Sequence, residues 1–326
     1  MIAPRALITG VTGQDGGYLS ERLVAEGYEV HGLVHHLDTS AQHFALQHPT
    51  MHLHPGDLAD ADGLRALVRE VQPDELYNLA GVTSVAFSWD HPVLTAQLSG
   101  VAPVVLFQSA LQLQEEQGRR VACVQASSAE IFGDAERSPQ DESTPVQPVS
   151  PYGAAKAYAH YMAGLYRGKG LHVCSMILFN HESPRRPEQF VTRKITAAAA
   201  RIAVDGTGVI RLGNLDARRD WGWAPDYVDA MVRAARREVA TDYVVATGET
   251  HTVAEFAETA LRRVGFGDAW REHIEVDPDL LRLSDAPVQV GDSGRARADL
   301  GWAPTMTFQE IVWQMVDRDV EALRES

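Results

Sequence analysis

The chain has 326 residues, of which 45% are hydrophobic and 22% are charged, and its formal net charge is −15 at pH 7. This composition is typical of a globular protein with a substantial core and excludes an extended disordered chain. The acidic balance argues against non-specific binding to nucleic acid or to an anionic membrane surface, while leaving room for a local basic pocket that holds a phosphate.

The first half of the chain alternates short apolar segments with longer segments of helical periodicity. The short segments predict strands covered on both faces, because they are almost continuously apolar. These predicted strands span residues 5–9, 29–34, 51–54, 75–79, 119–126 and 171–178. Helices are predicted over residues 17–26, 60–71, 91–117 and 152–166. The alternation predicts an α/β fold with a Rossmann-like, doubly wound parallel sheet.

After about residue 180 the alternation becomes irregular. Helices are predicted over residues 190–204, 226–237, 253–264 and 308–323, with a strand over 242–246 and glycine-rich turns between them. We therefore expect residues 1–180 to form a dinucleotide-binding domain. Residues 181–326 are expected to form mainly a smaller, interleaved α/β substrate-binding lobe, with some segments returning to the sheet domain.

The two cysteines, Cys123 and Cys174, each lie in an apolar, strand-like segment. We expect them to be buried thiols rather than a disulfide or a metal-binding pair, so no metal centre is predicted. The N-terminus lacks the pattern of a secretory signal, and no apolar run approaches the roughly 20 residues that cross a bilayer. These features indicate a cytoplasmic protein with no membrane or nucleic-acid partner.

A glycine-rich segment, Thr9-Gly-Val-Thr-Gly-Gln-Asp-Gly16, follows the first predicted strand and opens the first helix. In this position Gly10 allows a tight turn, Gly13 allows the backbone to approach a pyrophosphate, and Gly16 allows the helix to pack closely on the strand. The helix N-terminus then supplies free amides and a positive dipole end for the anion. The segment predicts a dinucleotide site.

The residues after the second strand leave the choice of dinucleotide open. His35 and His36 could contact the 2′-phosphate of NADP, whereas Asp38 could bind the ribose diol of NAD. Further polar and apolar positions, Asp57, Leu58, Leu79 and Ala80, follow the third and fourth strands. These strand ends are expected to line the crevice along which the dinucleotide runs.

Tyr152 and Lys156 are four residues apart near the start of a predicted helix, so they share one face. A lysine ammonium beside a phenol stabilises the phenolate, which would make the tyrosine a usable base near neutral pH. Ser128 and Glu130 follow the fifth strand, at the sheet edge where such folds place their chemistry. Each motif is weak alone, but together they predict a catalytic group.

With its glycine loop, its Ser127-Ser128 strand end and its Tyr-x-x-x-Lys motif, the chain resembles the extended short-chain dehydrogenase/reductase family. The resemblance implies that Ser128 orients the substrate, that Tyr152 is the base, and that Lys156 also holds the nicotinamide ribose. Glu130 favours a dehydratase, because removal of a proton next to a ketone needs a carboxylate that simple reductases and epimerases of the family do not need.

Several segments, over nearly the whole chain, are similar to the family of GDP-mannose 4,6-dehydratases; the most specific is Asn180-His-Glu-Ser-Pro-Arg-Arg186. The others span residues 7–16, 72–80, 150–156, 190–195, 212–221 and 246–251. By position, the resemblance implies that the catalytic residues are Ser128, Glu130, Tyr152 and Lys156. It places at the cofactor Gly10, Gly13, Gln14, Asp15, Gly16, Asp57, Leu58, Leu79, Ala80, Lys156, His181 and Arg186. It places at the nucleotide sugar, with the catalytic Ser128, Glu130 and Tyr152, the residues Asn180, Val191, Lys194, Arg219, Arg282 and Asp285.

The implied reaction converts a GDP-hexose, with GDP-mannose favoured, into a GDP-4-keto-6-deoxy sugar by internal hydride transfer. The implied cofactor is NADP, with NAD as the alternative, and it stays tightly bound through each turnover. A homodimer or homotetramer is expected, with helix pairing through residues 91–117 and 152–166 in the dimer. Alternatives are a dehydratase of a modified GDP-sugar such as a heptose, because residues 81–85 and Ala129 depart from the family pattern, and a nucleotide-sugar 4-reductase or epimerase.

Overall fold

The structure is a computed structural model that describes residues 3–35, 39–280 and 288–325. Its helices are α1 (Gln14–Ala25), α2 (Thr39–Gln47), α3 (Ala61–Val71), α4 (Val85–Asp90), α5 (Pro92–Ala96), α6 (Ala102–Gln117), α7 (Pro151–Gly168), α8 (Val191–Asp205), α9 (Ala224–Arg236), α10 (Val253–Arg263), α11 (Gly294–Leu300) and α12 (Phe308–Glu325). Its strands are β1 (Arg5–Thr9), β2 (Glu29–Val34), β3 (His52–Pro55), β4 (Glu75–Asn78), β5 (Ala122–Ala126), β6 (His172–Leu178), β7 (Asn180–Glu182), β8 (Ile210–Leu212), β9 (Arg218–Arg219), β10 (Trp221–Trp223), β11 (Tyr243–Val245), β12 (His251–Thr252), β13 (Ile274–Val276) and β14 (Val288–Gln289).

The largest sheet has seven strands in the order β11-β6-β5-β4-β1-β2-β3, and every pair in it is parallel. The chain fills one half of this sheet from β1 to β3 and then crosses back to β4 beside β1. The switch point between β1 and β4 opens a crevice at the carboxyl ends of the strands, which is where such sheets bind ligands. The predicted doubly wound α/β fold is confirmed.

Helices cover both faces of this sheet. On one face, Leu19 and Leu23 of α1 and Met231 of α9 share a core with Ile8 of β1. On the other face, side chains of α3, α6 and α7 pack against the opposite sides of the same strands, including Leu7 of β1. Both faces of the central strands are therefore buried, which is why their sequences are nearly continuous in apolar residues.

A separate core joins α8, α10 and α12 with the short strands β8 and β13 in the second half of the chain. Between segments of this lobe the chain returns to the sheet domain, because α9 packs on α1 and β11 pairs with β6. The boundary at residue 180 remains a prediction.

The predicted long helix over residues 91–117 is interrupted. It begins as α5, passes through a π-helical turn at Gln97–Val101 and continues as α6. Contrary to the expectation from the sequence, the combined segment Pro92–Gln117 is long and apolar enough to span a bilayer, with a mean hydropathy of 1.4 over its most apolar window. Since 56% of that window is buried inside the protein, its apolar composition is that of a core helix.

A buried carboxylate joins the sheet to α9. Glu75 is only 6% exposed, yet its side chain accepts hydrogen bonds from the hydroxyls of Tyr77 and Tyr28 at 2.6 and 2.8 Å. Arg236 of α9 adds a charged hydrogen bond from its Nε at 3.2 Å. The network satisfies the charge that the sheet buries, which would otherwise be costly.

Replacement of this carboxylate tests that account. In Glu75→Ala the buried Tyr77 hydroxyl loses its acceptor, and each such orphaned group costs about 1–3 kcal/mol. We expect the free energy of unfolding, measured by urea denaturation, to fall by about 2–4 kcal/mol. Glu115→Ala, at an exposed position of α6, is the control and should change it by no more than about 0.5 kcal/mol. Equal effects of the two substitutions would contradict the proposed role of the network.

Candidate active site

Hydrogen bonds between polar side chains join the carboxyl ends of three neighbouring strands. The Thr9 hydroxyl donates to Asn78 Oδ1 at 2.6 Å, and Asn78 Nδ2 donates to Gln125 Oε1 at 2.7 Å. Thr9 Oγ1 also accepts a bond from the Ala80 amide at 3.2 Å. These bonds hold the ends of β1, β4 and β5 together and so define the floor of the crevice.

The glycine loop passes over this floor with almost no spare room. A Cβ on Gly10, which has a φ of +73°, would lie 2.9 Å from the Ala80 amide nitrogen, and one on Gly16 would lie 2.2 Å from the Gly10 carbonyl oxygen. Helix α1 follows Gly13, whose position has no side-chain cap. The first amides of α1 therefore face the crevice as donors for an anion, and the loop fits a dinucleotide pyrophosphate.

An ion pair connects this loop to the segment after β6. His181 Nε2 lies 2.9 Å from Asp15 Oδ2, and His181 Nδ1 donates to the Phe179 carbonyl at 2.8 Å. Burial disfavours the charged form of both side chains, but the attraction between them is stronger. The Asp15 carboxylate therefore raises the pKa of His181, and His181 lowers the pKa of Asp15. Gln14 adds a bond from its Nε2 to the His181 carbonyl at 3.1 Å. The predicted cofactor residues Asp15 and His181 are thus direct partners.

The residues predicted as catalytic meet at the end of β5. Ser128 caps the short 3₁₀ turn Ala129–Ile131 by accepting the Glu130 amide at 3.2 Å, and its hydroxyl lowers the pKa of Tyr152. Lys156 is buried and donates from Nζ to the Ala126 carbonyl at 2.9 Å. The structure therefore brings all four predicted catalytic residues to one edge of the sheet.

The electrostatics of the Tyr–Lys pair differ from the expectation. The Lys156 ammonium lies 5.8 Å from the Tyr152 ring centroid and is bound to a carbonyl. Burial raises the pKa of Tyr152 to about 12, while the Ser128 hydroxyl acts in the opposite direction. Burial also lowers the pKa of Lys156 to about 8. Desolvation, rather than the neighbouring ammonium, therefore determines the direction of the pKa shift of Tyr152.

Gln289 was not predicted from the sequence, yet it positions Glu130. Its Nε2 donates to Glu130 Oε1 at 3.1 Å across a separation of 159 residues. Gln289 lies in β14, opposite Arg219 in the parallel pair β14–β9. No local pattern could reveal this partner, because β14 is two residues long and its place is set by the small sheet β12-β9-β14.

Arg186, a predicted cofactor residue, follows β7 and contacts Phe190 and Glu182. Its guanidinium stacks on the Phe190 ring at 3.7 Å from the ring centroid, and its Nε is 3.5 Å from Glu182 Oε2. That Nε is buried and makes no hydrogen bond among the described residues. The Arg186 charge lowers the pKa of both Asp15 in the glycine loop and Tyr152 among the predicted catalytic residues.

The other predicted positions are distributed around the crevice. Leu79 and Ala80 follow β4, Asp57 and Leu58 follow β3, and the exposed His35 follows β2. Of the predicted substrate residues, Asn180 opens β7, Val191 and Lys194 lie in the first turn of α8, and Arg219 is buried in β9. His36, Arg282 and Asp285 lie outside the described residues.

Comparison with known proteins extends this picture over the whole chain. The family model described as "GDP-mannose 4,6 dehydratase" matches residues 7–315. GDP-mannose 4,6 dehydratase 1 of Arabidopsis thaliana is 43% identical over 98% of this chain and 91% of its own length. The human GDP-mannose 4,6 dehydratase is 39% identical over 98% of this chain and 92% of its own length. A solved structure of Thermus thermophilus UDP-glucose 4-epimerase in complex with NAD superposes with a TM-score of 0.83 at 27% identity, covering 97% of this chain and 98% of that one.

Burial of Lys156 makes a prediction about pH. Its pKa is about 8 in the folded chain and 10.5 ordinarily. Between these values the unfolded chain binds more protons, so the free energy of unfolding rises with pH, by up to about 1.4 kcal/mol per unit. Lys156→Met lacks this titration. We expect the free energy of unfolding of the native chain, relative to the variant, to increase between pH 8 and pH 10 in urea denaturation; a difference that stays constant with pH would refute the assignment.

Proposed function

Because the chain belongs to the family of GDP-mannose 4,6 dehydratases, we propose that it removes water from GDP-mannose to give the GDP-4-keto-6-deoxy sugar. The observation that carries the proposal is the position of Glu130 at the same strand end as Ser128, Tyr152 and Lys156. A carboxylate there supplies a second base, which dehydration needs and which simple carbonyl reduction does not.

We propose a nicotinamide dinucleotide, NADP or NAD, as the resident cofactor. The glycine loop with the free amides of α1 would hold the pyrophosphate, and Asp15, His181 and Lys156 would lie along the nicotinamide half. Asp57, Leu58, Leu79 and Ala80 would line the adenosine side, with His35 and His36 near the ribose. The chemistry that the bound cofactor supplies is acceptance of hydride from the sugar C4 and its return to C6.

Tyr152 is proposed to take the proton of the C4 hydroxyl as that carbon is oxidised. Without bound cofactor and substrate, the raised pKa of Tyr152 keeps its phenol protonated. The Ser128 hydroxyl and the Arg186 charge both lower that pKa, and so help the phenol to lose its proton and act as a base. Ser128 would also hydrogen-bond the C4 oxygen and orient it toward the tyrosine. Lys156, fixed by the Ala126 carbonyl, would hold the nicotinamide ribose beside Ser128 and Tyr152.

Glu130 is proposed to act after C4 has become a ketone. The ketone acidifies the C5 proton, and Glu130 removes this proton. The C6 hydroxyl leaves as water after it receives, through the Ser128 hydroxyl, the proton that Tyr152 took from the C4 hydroxyl. Gln289 restricts the carboxylate by donating to one of its oxygens, so that the other oxygen faces the sugar. The same carboxylic acid then returns a proton to C5 when hydride reaches C6, which leaves the enzyme as it began.

The diphosphate of the nucleotide sugar needs cations, and the second lobe supplies them. Lys194 in the first turn of α8 and Arg219 in β9 are proposed to bind it, with Asn180 and Val191 beside the sugar and the nucleoside. Arg282 and Asp285 are proposed to complete this side of the site. We propose the corresponding division into a cofactor domain of residues 1–180 and a substrate lobe of residues 181–326. We also propose that the protein functions in the cytoplasm, where nucleotide sugars are made.

The chain is also proposed to form a homodimer through α5, α6 and α7. Large apolar side chains on these contiguous helices are exposed: Val93 by 70%, Tyr161 by 56% and Leu165 by 64%. A contiguous apolar surface on a folded chain indicates a protein partner, and two copies can bury it symmetrically. Pairing of such dimers into a homotetramer is the alternative assembly.

The first test is mass spectrometry of GDP-mannose incubated with the purified chain in D₂O, without added reductant. We expect a product that has lost one water and gained one deuterium at C5. Glu130→Gln should lower the rate by about 10²–10⁴-fold, the usual contribution of a general base. Glu136→Gln, an exposed glutamate on the same loop, is the matched control and should keep the native rate.

Other outcomes distinguish the competing functions. Unchanged GDP-mannose with cofactor bound would mean that the substrate is a different GDP-sugar, such as a heptose. Consumption of added reductant would indicate a 4-reductase, and inversion at C4 without loss of water an epimerase. A Glu130→Gln enzyme with the native rate would refute the assigned base even if the product is correct.

The dimer is tested by light scattering coupled to gel filtration. The double substitution Tyr161→Glu, Leu165→Glu places two charges in the apolar surface, so the measured mass should fall to that of one chain. Val239→Glu, at an equally exposed apolar position outside α5–α7, should leave the mass unchanged. A native chain that is already monomeric would disprove the assembly.

A further inference from the structure

Three histidines and a glutamate, here called the histidine cluster, lie toward the amino-terminal ends of β2 and β3. They are Glu29, His31, His52 and His54. The register pairs His31 with His52, and residues two apart on a strand share a face, so all four side chains lie on the same face of the sheet. This end of the sheet is opposite the carboxyl-end crevice, and none of these residues takes part in the proposed reaction.

Three ligand atoms in the cluster already have the spacing of a metal site. Glu29 Oε1 lies 3.2 Å from His31 Nε2 and 3.7 Å from His52 Nε2, and all three atoms lie within 4.8 Å of one another. A tetrahedral Zn²⁺ with bonds of about 2.1 Å holds neighbouring ligands roughly 3.4 Å apart. The His31 and His52 rings are stacked with their centroids 4.8 Å apart, so an ion that binds both would require these side chains to rotate.

The surrounding hydrogen bonds occupy atoms of the cluster that are not proposed as ligands. Arg5 Nε donates to Glu29 Oε2 at 3.3 Å, which leaves Oε1 directed at the two imidazoles. His31 Nδ1 lies 2.9 Å from His54 Nε2, and His54 Nδ1 lies 3.9 Å from Glu70 Oε1. When His31 donates from Nδ1 to His54, its Nε2 presents a lone pair to the cluster. Metal-binding histidines characteristically have such an acceptor on the second nitrogen.

The charge state of the cluster also suits a cation. Burial, reinforced by His52 and His54, lowers the pKa of His31, and burial lowers the pKa of His54. A metal ion binds the neutral form of an imidazole. The charges that face the cluster are the carboxylates of Glu29 and Glu70 and the guanidinium of Arg5. Two imidazole nitrogens and a carboxylate oxygen within 4.8 Å of one another are ligands that suit a bound cation.

We propose that the histidine cluster binds one Zn²⁺ ion through Glu29 Oε1, His31 Nε2 and His52 Nε2, with water as the fourth ligand. The His52 side chain is 55% exposed, so solvent reaches the open position. The ion would cross-link β2 to β3, which is the edge strand of the sheet. Because the ligands come together only in the folded sheet, binding would stabilise the native state.

The test uses the full chain, purified without a histidine tag and freed of metal by chelation. ZnCl₂ is titrated by calorimetry at pH 7.5, and Co²⁺ replaces it to report coordination by its visible absorption. We expect one ion per chain and a higher melting temperature with zinc. Affinity should fall as the pH is lowered through the range in which histidine protonates.

Variants identify the ligands. Glu29→Gln and His52→Gln should each weaken zinc binding by at least about tenfold, and His54→Gln, which removes only the partner of His31, by about 10–100-fold. His273→Gln is the control, since this histidine lies in the second lobe and contacts the Gly208 carbonyl. The exposed position of His52 keeps that variant folded, which its melting temperature without metal will verify.

Each result decides the proposal. One zinc ion per native chain, bound at least about tenfold more weakly by both Glu29→Gln and His52→Gln but with native affinity by His273→Gln, supports it. Absence of zinc binding to the native chain overturns it, and so does binding that both ligand variants retain, because the metal would then lie elsewhere. None of these readouts depends on turnover, so they stand whether or not the proposed dehydratase activity is found.

Discussion

The structure depends on the close approach of the first loop to the fourth strand. Gly10 packs against the backbone at Ala80 so tightly that no side chain fits between them, and Gly16 packs in the same way against Gly10 itself. This contact sets the height of α1 above the sheet and opens its first amides toward the crevice. The Asp15–His181 ion pair then ties the start of α1 to the strand end after β6. The glycine loop is thereby connected to the carboxyl-end edge of the sheet, where the proposed catalytic residues lie.

Burial is the second determinant of the site. Tyr152 and Lys156 share a helix face, but desolvation acts on both, raising the pKa of the phenol and lowering that of the amine. If Tyr152 acts as the proposed base near neutral pH, it relies on the Ser128 hydroxyl and the Arg186 charge, which both lower its pKa. Glu130 is controlled differently, by the amide of Gln289 from a distant strand. The two proposed bases are thus held by independent parts of the fold, which lets them act at separate stages of one reaction.

The two ends of the parallel sheet carry different chemistry. At the carboxyl ends, loops bring together glycines, hydroxyls and the proposed catalytic residues, which is where sheets of this topology bind ligands. At the amino ends, the pairing of β2 with β3 brings histidines into contact that lie more than 20 residues apart in the sequence. The cysteines, which the sequence predicts to be buried thiols, are buried within β5 and β6. A metal site at the histidine cluster would therefore come from strand register rather than from a local motif.

The sequence by itself determined the parallel sheet, its long helices and the four candidate catalytic residues, because each of these depends on local spacing. Continuous apolar runs predict buried strands, and Tyr152 and Lys156 share a face simply because they are four residues apart. Short elements such as α2, α4, β7 and β14 escaped prediction, since segments of this length carry too little periodicity. Only the tertiary structure decided that Gln289 holds Glu130, that His181 pairs with Asp15, that Lys156 binds a carbonyl, and that four dispersed side chains form the histidine cluster. Each of these contacts joins residues far apart in the chain or depends on burial. A local sequence pattern indicates neither which distant residues meet in space nor which side chains lose their contact with water.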